Sequence, residues 1–297
     1  MKSPVVVLDA ARGAGRGVVE AALDEGRAVI AVSLDPTELR GLHKRYPGAD
    51  LNIVAGSIAD EASAAALASA LRELERPIAG VVICTCSEPV PGRVLDHSTD
   101  ELKRRFEGDL FPQLAAARHL IPLLAESGRN GGYVVIGSPG SENPWAGYGH
   151  RSIAASAISM LVRVLHEEAR QIGVRVQLLG VLRPVRTAEN DALACEGWPS
   201  ATAIGEQALS LIDQSDARRA AMAVVPFNPD APRRPKSAAR FEPQEPALLA
   251  QMVAPKPQAK AQFADSGPPI EGQRYLDQAW SLLEPLFSHQ RNEAKQK

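Results

Sequence analysis

Short apolar runs rich in β-branched residues alternate along the chain with longer stretches in which apolar residues recur every three or four positions. The runs fall at residues 5–8, 28–33, 51–54, 80–84, 132–137, 174–179 and 221–225. Between them the spacing predicts helices near 18–25, from about 36, and over 61–74, 99–126, 152–171 and 202–213. Unbroken apolar runs mark strands covered on both faces, and strand–helix alternation is the pattern of repeated βαβ units. The expectation is an α/β chain with a Rossmann-like, doubly wound, parallel seven-stranded sheet.

The pattern changes after residue 225. Residues 226–270 contain ten prolines with scattered charge between them. Proline lacks an amide donor and fixes φ, so this stretch reads as a linker or extended arm. Beyond it, Tyr275, Leu276, Ala279, Trp280, Leu282, Leu283, Leu286 and Phe287 recur at helical spacing. They predict an amphipathic C-terminal helix within 271–297 whose apolar face packs on its own domain or on a partner. The expected division is therefore a domain at 1–225, a proline-rich arm at 226–270 and a helix at 271–297.

The chain has 297 residues and a formal net charge of -2, with no concentration of positive charge. That balance argues against nucleic acid and anionic membrane as partners. The first apolar run is only four residues long, too short for a signal peptide or a membrane span, and the expected compartment is the cytoplasm. Three cysteines, Cys84, Cys86 and Cys195, call for no disulfide framework. Cys84 and Cys86, two apart in an apolar run, read as small core residues, and no metal site is expected.

Chemistry concentrates first in the segment from Val7 to Gly17, which follows a strand, is rich in glycine and opens a helix. In that context glycines let the backbone approach a pyrophosphate at a helix N-terminus. The segment resembles the TGxxxGxG turn of the short-chain dehydrogenase/reductase family, and the resemblance extends over about residues 4–225. The second and third glycines of that motif fall on Gly13 and Gly15, with Ala14 between them; its first glycine and the preceding threonine fall on Asp9 and Leu8. A carboxylate at Asp9 adds bulk at the tight end of the turn and opposes a phosphate. Where an NAD-selective member carries an acid after the second strand, this chain has Ser33 and Leu34. Arg12 matches the basic position of NADP-selective members. The Asp-Val pair after the third strand is Ser57-Ile58 here, the NNAG motif on the fourth is residues 83–86, Ile-Cys-Thr-Cys, and the Pro-Gly motif after the sixth is Gly180-Val181. The resemblance thus implies no bound cofactor, or NADP(H) if any.

Members of the family reduce carbonyls with a tyrosine acid, a lysine four residues later that lowers its pKa, a serine that binds the carbonyl oxygen and an asparagine in a proton relay. Ser138 matches the serine. The tyrosine position falls on Arg151, the lysine on Ala155 and the asparagine on Asp109. Arginine keeps its proton at any physiological pH and alanine offers no cation. Tyr148 lies three residues before Arg151, but Ser152 stands where its lysine would be, and no lysine occurs between Lys103 and Lys236. Two other arrangements can be drawn, a Tyr148–His150 acid/base pair near Ser138 and a hydrolytic Ser138–His150–Asp109 set, though the latter lacks a G-x-S-x-G elbow. Arg151 itself reads as a helix-start residue pairing with an acid such as Asp109 or Glu142.

The resemblance therefore implies a non-catalytic relative acting as a structural or regulatory subunit, not an active oxidoreductase. Apolar faces on the helices at 99–126 and 152–171, including Leu161, Val164 and Leu165, suit a homodimer, a homotetramer or a hetero-oligomer with an active relative, with the C-terminal arm as a further contact. The alternative is an atypical NADPH-dependent carbonyl or 3-oxoacyl oxidoreductase that keeps Ser138.

Overall fold

A computed structural model describes residues 3–84, 87, 90–128, 130–213 and 221–231. The expected helix within 271–297 and nearly all of the 226–270 arm lie outside the described residues. Seven strands, β1 (Val5–Leu8), β2 (Val29–Ser33), β3 (Leu51–Ala55), β4 (Gly80–Ile83), β5 (Gly132–Ile136), β6 (Arg175–Gly180) and β7 (Val224–Pro226), form one parallel sheet in the order β3-β2-β1-β4-β5-β6-β7. The doubly wound α/β architecture expected from the apolar runs is thus the one observed. Strand order reverses between β1 and β4, and at such a switch point the connections diverge to leave a crevice at the carboxyl ends of the strands.

Among the described residues seven α-helices cover the sheet: α1 (Gly13–Asp24), α2 (Pro36–Arg45), α3 (Glu61–Glu73), α4 (Thr99–Arg105), α5 (Phe111–Glu126), α6 (Gly149–Ala169) and α7 (Ala201–Ile212). Apolar residues of α1, α2 and α7 pack on one face, those of α3, α5 and α6 on the other. Three helices start on side chains that accept from their first-turn amides, Asp35 from Thr37, Asp60 from Ser63 and Ser200 from Ala203. At the far end of α7, buried Arg175 donates to the carbonyls of Leu211 (2.7 Å) and Ile212 (2.9 Å), satisfying acceptors the helix cannot. Burial lowers the pKa of Arg175 to about 10, which leaves it charged at neutral pH.

Several boundaries differ from the sequence reading. The helix expected over 99–126 is broken into α4 and α5 by a π-helical turn, Phe106–Leu110. Pro112 follows at the start of α5, where a missing amide costs least. α1 begins at Gly13 instead of 18, because its first turn is made of small residues with no apolar period to read. α6 starts at Gly149 instead of 152, and the last strand is Val224–Pro226 instead of 221–225. Leu165 of α6 packs against the core and Leu161 is half-buried, so of the three residues assigned to an outer face only Val164 is exposed.

Tyr133 of β5 is 1% exposed and its hydroxyl has no hydrogen-bond partner among the described residues. A buried hydroxyl without a partner carries its full desolvation cost. Tyr133→Phe should therefore raise the free energy of unfolding in urea by about 1 kcal/mol. A loss of that size instead would mean that the hydroxyl is bonded.

Candidate functional site

Above the carboxyl ends of β1, β2 and β3 lies a cleft of about 270 Å³. The β1–α1 turn supplies Asp9 and Arg12, β2 ends in it at Ser33 and Leu34, and Ser57 and Ile58 follow β3 into it, while Ser87 and Glu107 close the opposite side. Five of the residues proposed from sequence for a cofactor, Asp9, Arg12, Ser33, Ser57 and Ile58, thus meet in one cleft. Gly13, Ala14 and Gly15 form the first turn of α1 beside it.

The turn explains its own glycines. Asp9 and Gly13 both sit in the left-handed region, at φ +55 in each case. Glycine adopts that conformation freely, and aspartate is among the few side chains that tolerate it. A Cβ on Gly15 would lie 2.1 Å from the Asp9 carbonyl oxygen, so the backbone itself forbids any larger residue there. Arg12 Nε donates to the Asp9 carboxylate at 3.4 Å. Burial pushes the Asp9 carboxyl above its ordinary value, and the Arg12 charge and hydrogen bond only partly offset this.

A second, much smaller cavity of about 20 Å³, room for roughly one water molecule, lies beneath Ser138 at the end of β5. Asp109, Gln113, Arg151 and Ala155 line it together with Ser138. All four positions that sequence resemblance assigns to catalysis therefore converge. Asp109 sits in the π-helical turn, accepts from the Ser87 amide at 2.6 Å and lies 3.6 Å from Nη1 of Arg105. Arg105 also donates to Ser87 Oγ and approaches Glu101 at 3.8 Å. Glu101, Arg105 and Asp109 are all buried and spaced four residues apart, an acid–arginine–acid ladder along one helical face. Ala155 contributes only a methyl group. The Arg151 guanidinium lies 5.7 Å from the centre of the Trp145 ring, a cation–π contact.

Tyr148 and His150 do not line the Ser138 cavity. Tyr148 stands at the N-cap of α6 with its ring 4.5 Å from that of Trp145, and buried His150 meets His97 edge to face at 5.2 Å. Among the described residues no group of histidine, cysteine and acidic side chains is arranged to hold a metal ion. Nor is any helix among them long and apolar enough to cross a membrane. Cys84 is half-buried beside the core and Cys86 lies outside the described residues.

Two contributors escaped the sequence reading: Gln113 and Arg105. The ladder of Glu101, Arg105 and Asp109 is visible in retrospect as charges at i, i+4 and i+8 in an otherwise amphipathic stretch.

A family model described as enoyl-(acyl carrier protein) reductase matches residues 10–207. No curated protein sequence matches the chain. Among solved structures, a short-chain dehydrogenase from Streptomyces avermitilis aligns with a TM-score of 0.64 at 20% identity, covering 77% of this chain and 89% of that one. A short-chain type dehydrogenase/reductase from Mycobacterium ulcerans aligns at 0.65 and 20% identity over 75% of this chain and 87% of its own. The Pseudomonas aeruginosa RhlG/NADP active-site complex aligns at 0.65 and 18% identity over 76% and 94%. At such identities the likeness is one of fold.

The environment of Asp9 carries a pH signature. A carboxyl whose pKa is raised by folding adds stability below its unfolded value and loses it as pH rises through the folded value. Asp9→Asn cannot ionise, so it should gain on the parent chain between acid and neutral pH. In thermal unfolding the variant's advantage should be larger at pH 7 than below 3.8, the ordinary value for this group. An advantage that is constant across that range, or larger in acid, would show that Asp9 is not desolvated in the folded chain.

Proposed function

This chain belongs to the short-chain dehydrogenase/reductase family, and from that premise we propose that it no longer performs oxidoreduction and works as a structural or regulatory subunit through association. One observation carries the reading. Ser138, Asp109, Arg151 and Ala155 share a single cavity of about 20 Å³, and that cavity offers no phenol to release a proton and no lysine beside it to lower its pKa. Arg151 holds its proton, Ala155 is inert, and Asp109 is committed to Arg105 and the Ser87 amide. A carbonyl bound at Ser138 would find no acid.

The family's nicotinamide dinucleotide does not fit the residues present. A pyrophosphate at the start of α1 would meet the Asp9 carboxylate, which lines the cleft at the end of β1. Like charges in a partly desolvated cleft oppose binding. No chemical step is therefore assigned through a dinucleotide.

Association has a surface to use. Phe111 and Leu114 of α5 and Ile153, Met160 and Val164 of α6 are exposed on two helices that cover the same face of the sheet. Apolar side chains on paired helices suit an isologous contact with a second copy or with a related subunit. Its C-terminal arm is a further contact of the same assembly.

Isothermal titration of the full chain with NADP(H) and NAD(H) tests the loss of chemistry. No binding at millimolar cofactor is expected, whereas tight binding would restore the alternative, a reductase using Ser138 with unusual partners. Light scattering tests the association. The wild-type chain should run as an oligomer, and Met160→Glu with Val164→Glu should lower its mass. A wild-type monomer in the absence of any relative would sink self-association.

A further inference from the structure

The cleft above β1, β2 and β3 opposes a pyrophosphate, yet at about 270 Å³ it is far too large to be a packing defect. Asp9 lines it at the end of β1. Arg12 Nε engages Oδ1 of its carboxylate at 3.4 Å, and Oδ2 takes no hydrogen bond among the described residues. The Asp9 side chain keeps 28% of its surface exposed, so it is partly desolvated and still within reach of a molecule in the cleft. A carboxylate oxygen in that setting is stabilised by a further donor, and most of all by a charged one.

The rest of the lining suits an apolar ring. Buried Leu8, Val32 and Ile58 supply apolar lining, and Leu34, at the end of β2, extends it outward with 76% of its surface exposed. A ring laid against Leu34 would take that surface out of water. Ser57 Oγ accepts from the Ala59 amide at 3.0 Å and keeps its own proton to donate, so the cleft also offers a hydroxyl donor. The volume falls just below the roughly 300–1,000 Å³ of pockets for drug-sized ligands, which leaves room for one or two fused rings and a short arm. A metal ion is a poor occupant, since no group of histidine, cysteine and acidic side chains among the described residues is arranged to hold one.

We infer that this cleft takes a small organic amine, an ammonium group on an aromatic ring system, with the ammonium donating to Asp9 and the ring lying against Leu34 and Ile58. An ammonium carries three donors and no acceptor, so it answers a carboxylate oxygen as a phosphate cannot and a neutral hydroxyl does only weakly. Glu107, on the opposite side of the cleft and 4.0 Å from Lys103, is half exposed and adds less to the choice of charge. The inference shares with the non-catalytic reading the opposition of Asp9 to a phosphate and goes beyond it, naming a ligand class whether or not the chain associates.

Titration calorimetry of the full chain at neutral pH tests it with one ring and three end groups: tryptamine, the neutral tryptophol and the anion indole-3-propionate. Tryptamine should bind at least about ten-fold more tightly than tryptophol, and indole-3-propionate should not bind. Asp9→Asn should bring tryptamine down to the level of tryptophol, whereas Leu34→Ala should weaken both alike. Glu73→Gln, an exposed acid at the end of α3 outside the cleft lining, should change neither. Equal affinity for tryptamine and tryptophol in the parent chain, binding of none of the three, or a preference that survives in Asp9→Asn would overturn the inference. The parent chain's own series decides it even if Asp9→Asn does not fold. The non-catalytic reading would stand in each case, because the dinucleotide titration decides that one.

Discussion

Between β1 and α1 the backbone turns so sharply that the Asp9 carbonyl oxygen occupies the space a side chain on Gly15 would need. Two residues later the backbone of Ala201 does the same to Gly17. These two close approaches fix α1 against the sheet and α7 against α1. The glycines of the turn are thus required by packing whether or not a ligand binds. Gly13 supplies a left-handed residue at one end of the turn, and Asp9 supplies the other at a conformational cost that glycine would avoid.

Both cavities at the carboxyl edge of the sheet hold charge that is already balanced inside the chain. Asp9 faces Arg12 and Asp109 faces Arg105. In a partly desolvated setting an ionised group needs a near partner, and these groups have found theirs within the fold. An incoming anion would have to replace an internal one, and a proton relay would have to break an ion pair before it could run. The π-helical turn makes the second case concrete, because it places Asp109 where it can accept the Ser87 amide and meet the Arg105 guanidinium at once.

Much of this architecture can be read from apolar patterning, since a strand covered on both faces must be apolar throughout. β1 to β6 fall within a residue or two of the runs that predict them. What pattern misses is what pattern does not encode. The start of α1 is a set of small residues whose helicity comes from packing, and the break between α4 and α5 leaves apolar spacing intact on either side. At the site, Ser138, Asp109, Arg151 and Ala155 could be located by register alone, because each lies a short count from a strand end or helix start. Arg105 could not, because its meaning depends on the contact its guanidinium makes with Asp109 and Ser87 inside the fold.

A glycine-rich turn after a first strand is ordinarily taken as a sign of dinucleotide binding, and here its two uses come apart. Gly15 answers to the Asp9 carbonyl and Gly17 to Ala201, contacts internal to the fold, whereas the first position of the turn, the one whose side chain points toward the ligand side, holds a carboxylate. On the proposed reading the losses at the turn and at the Ser138 cavity are independent. A phenol and a lysine placed at Arg151 and Ala155 would still face a cleft guarded by Asp9, and a phosphate admitted to that cleft would still adjoin a cavity with no acid. Two separate sets of contacts would have to change before the sheet could do redox chemistry, which is why the fold alone is a poor guide to the activity of this chain.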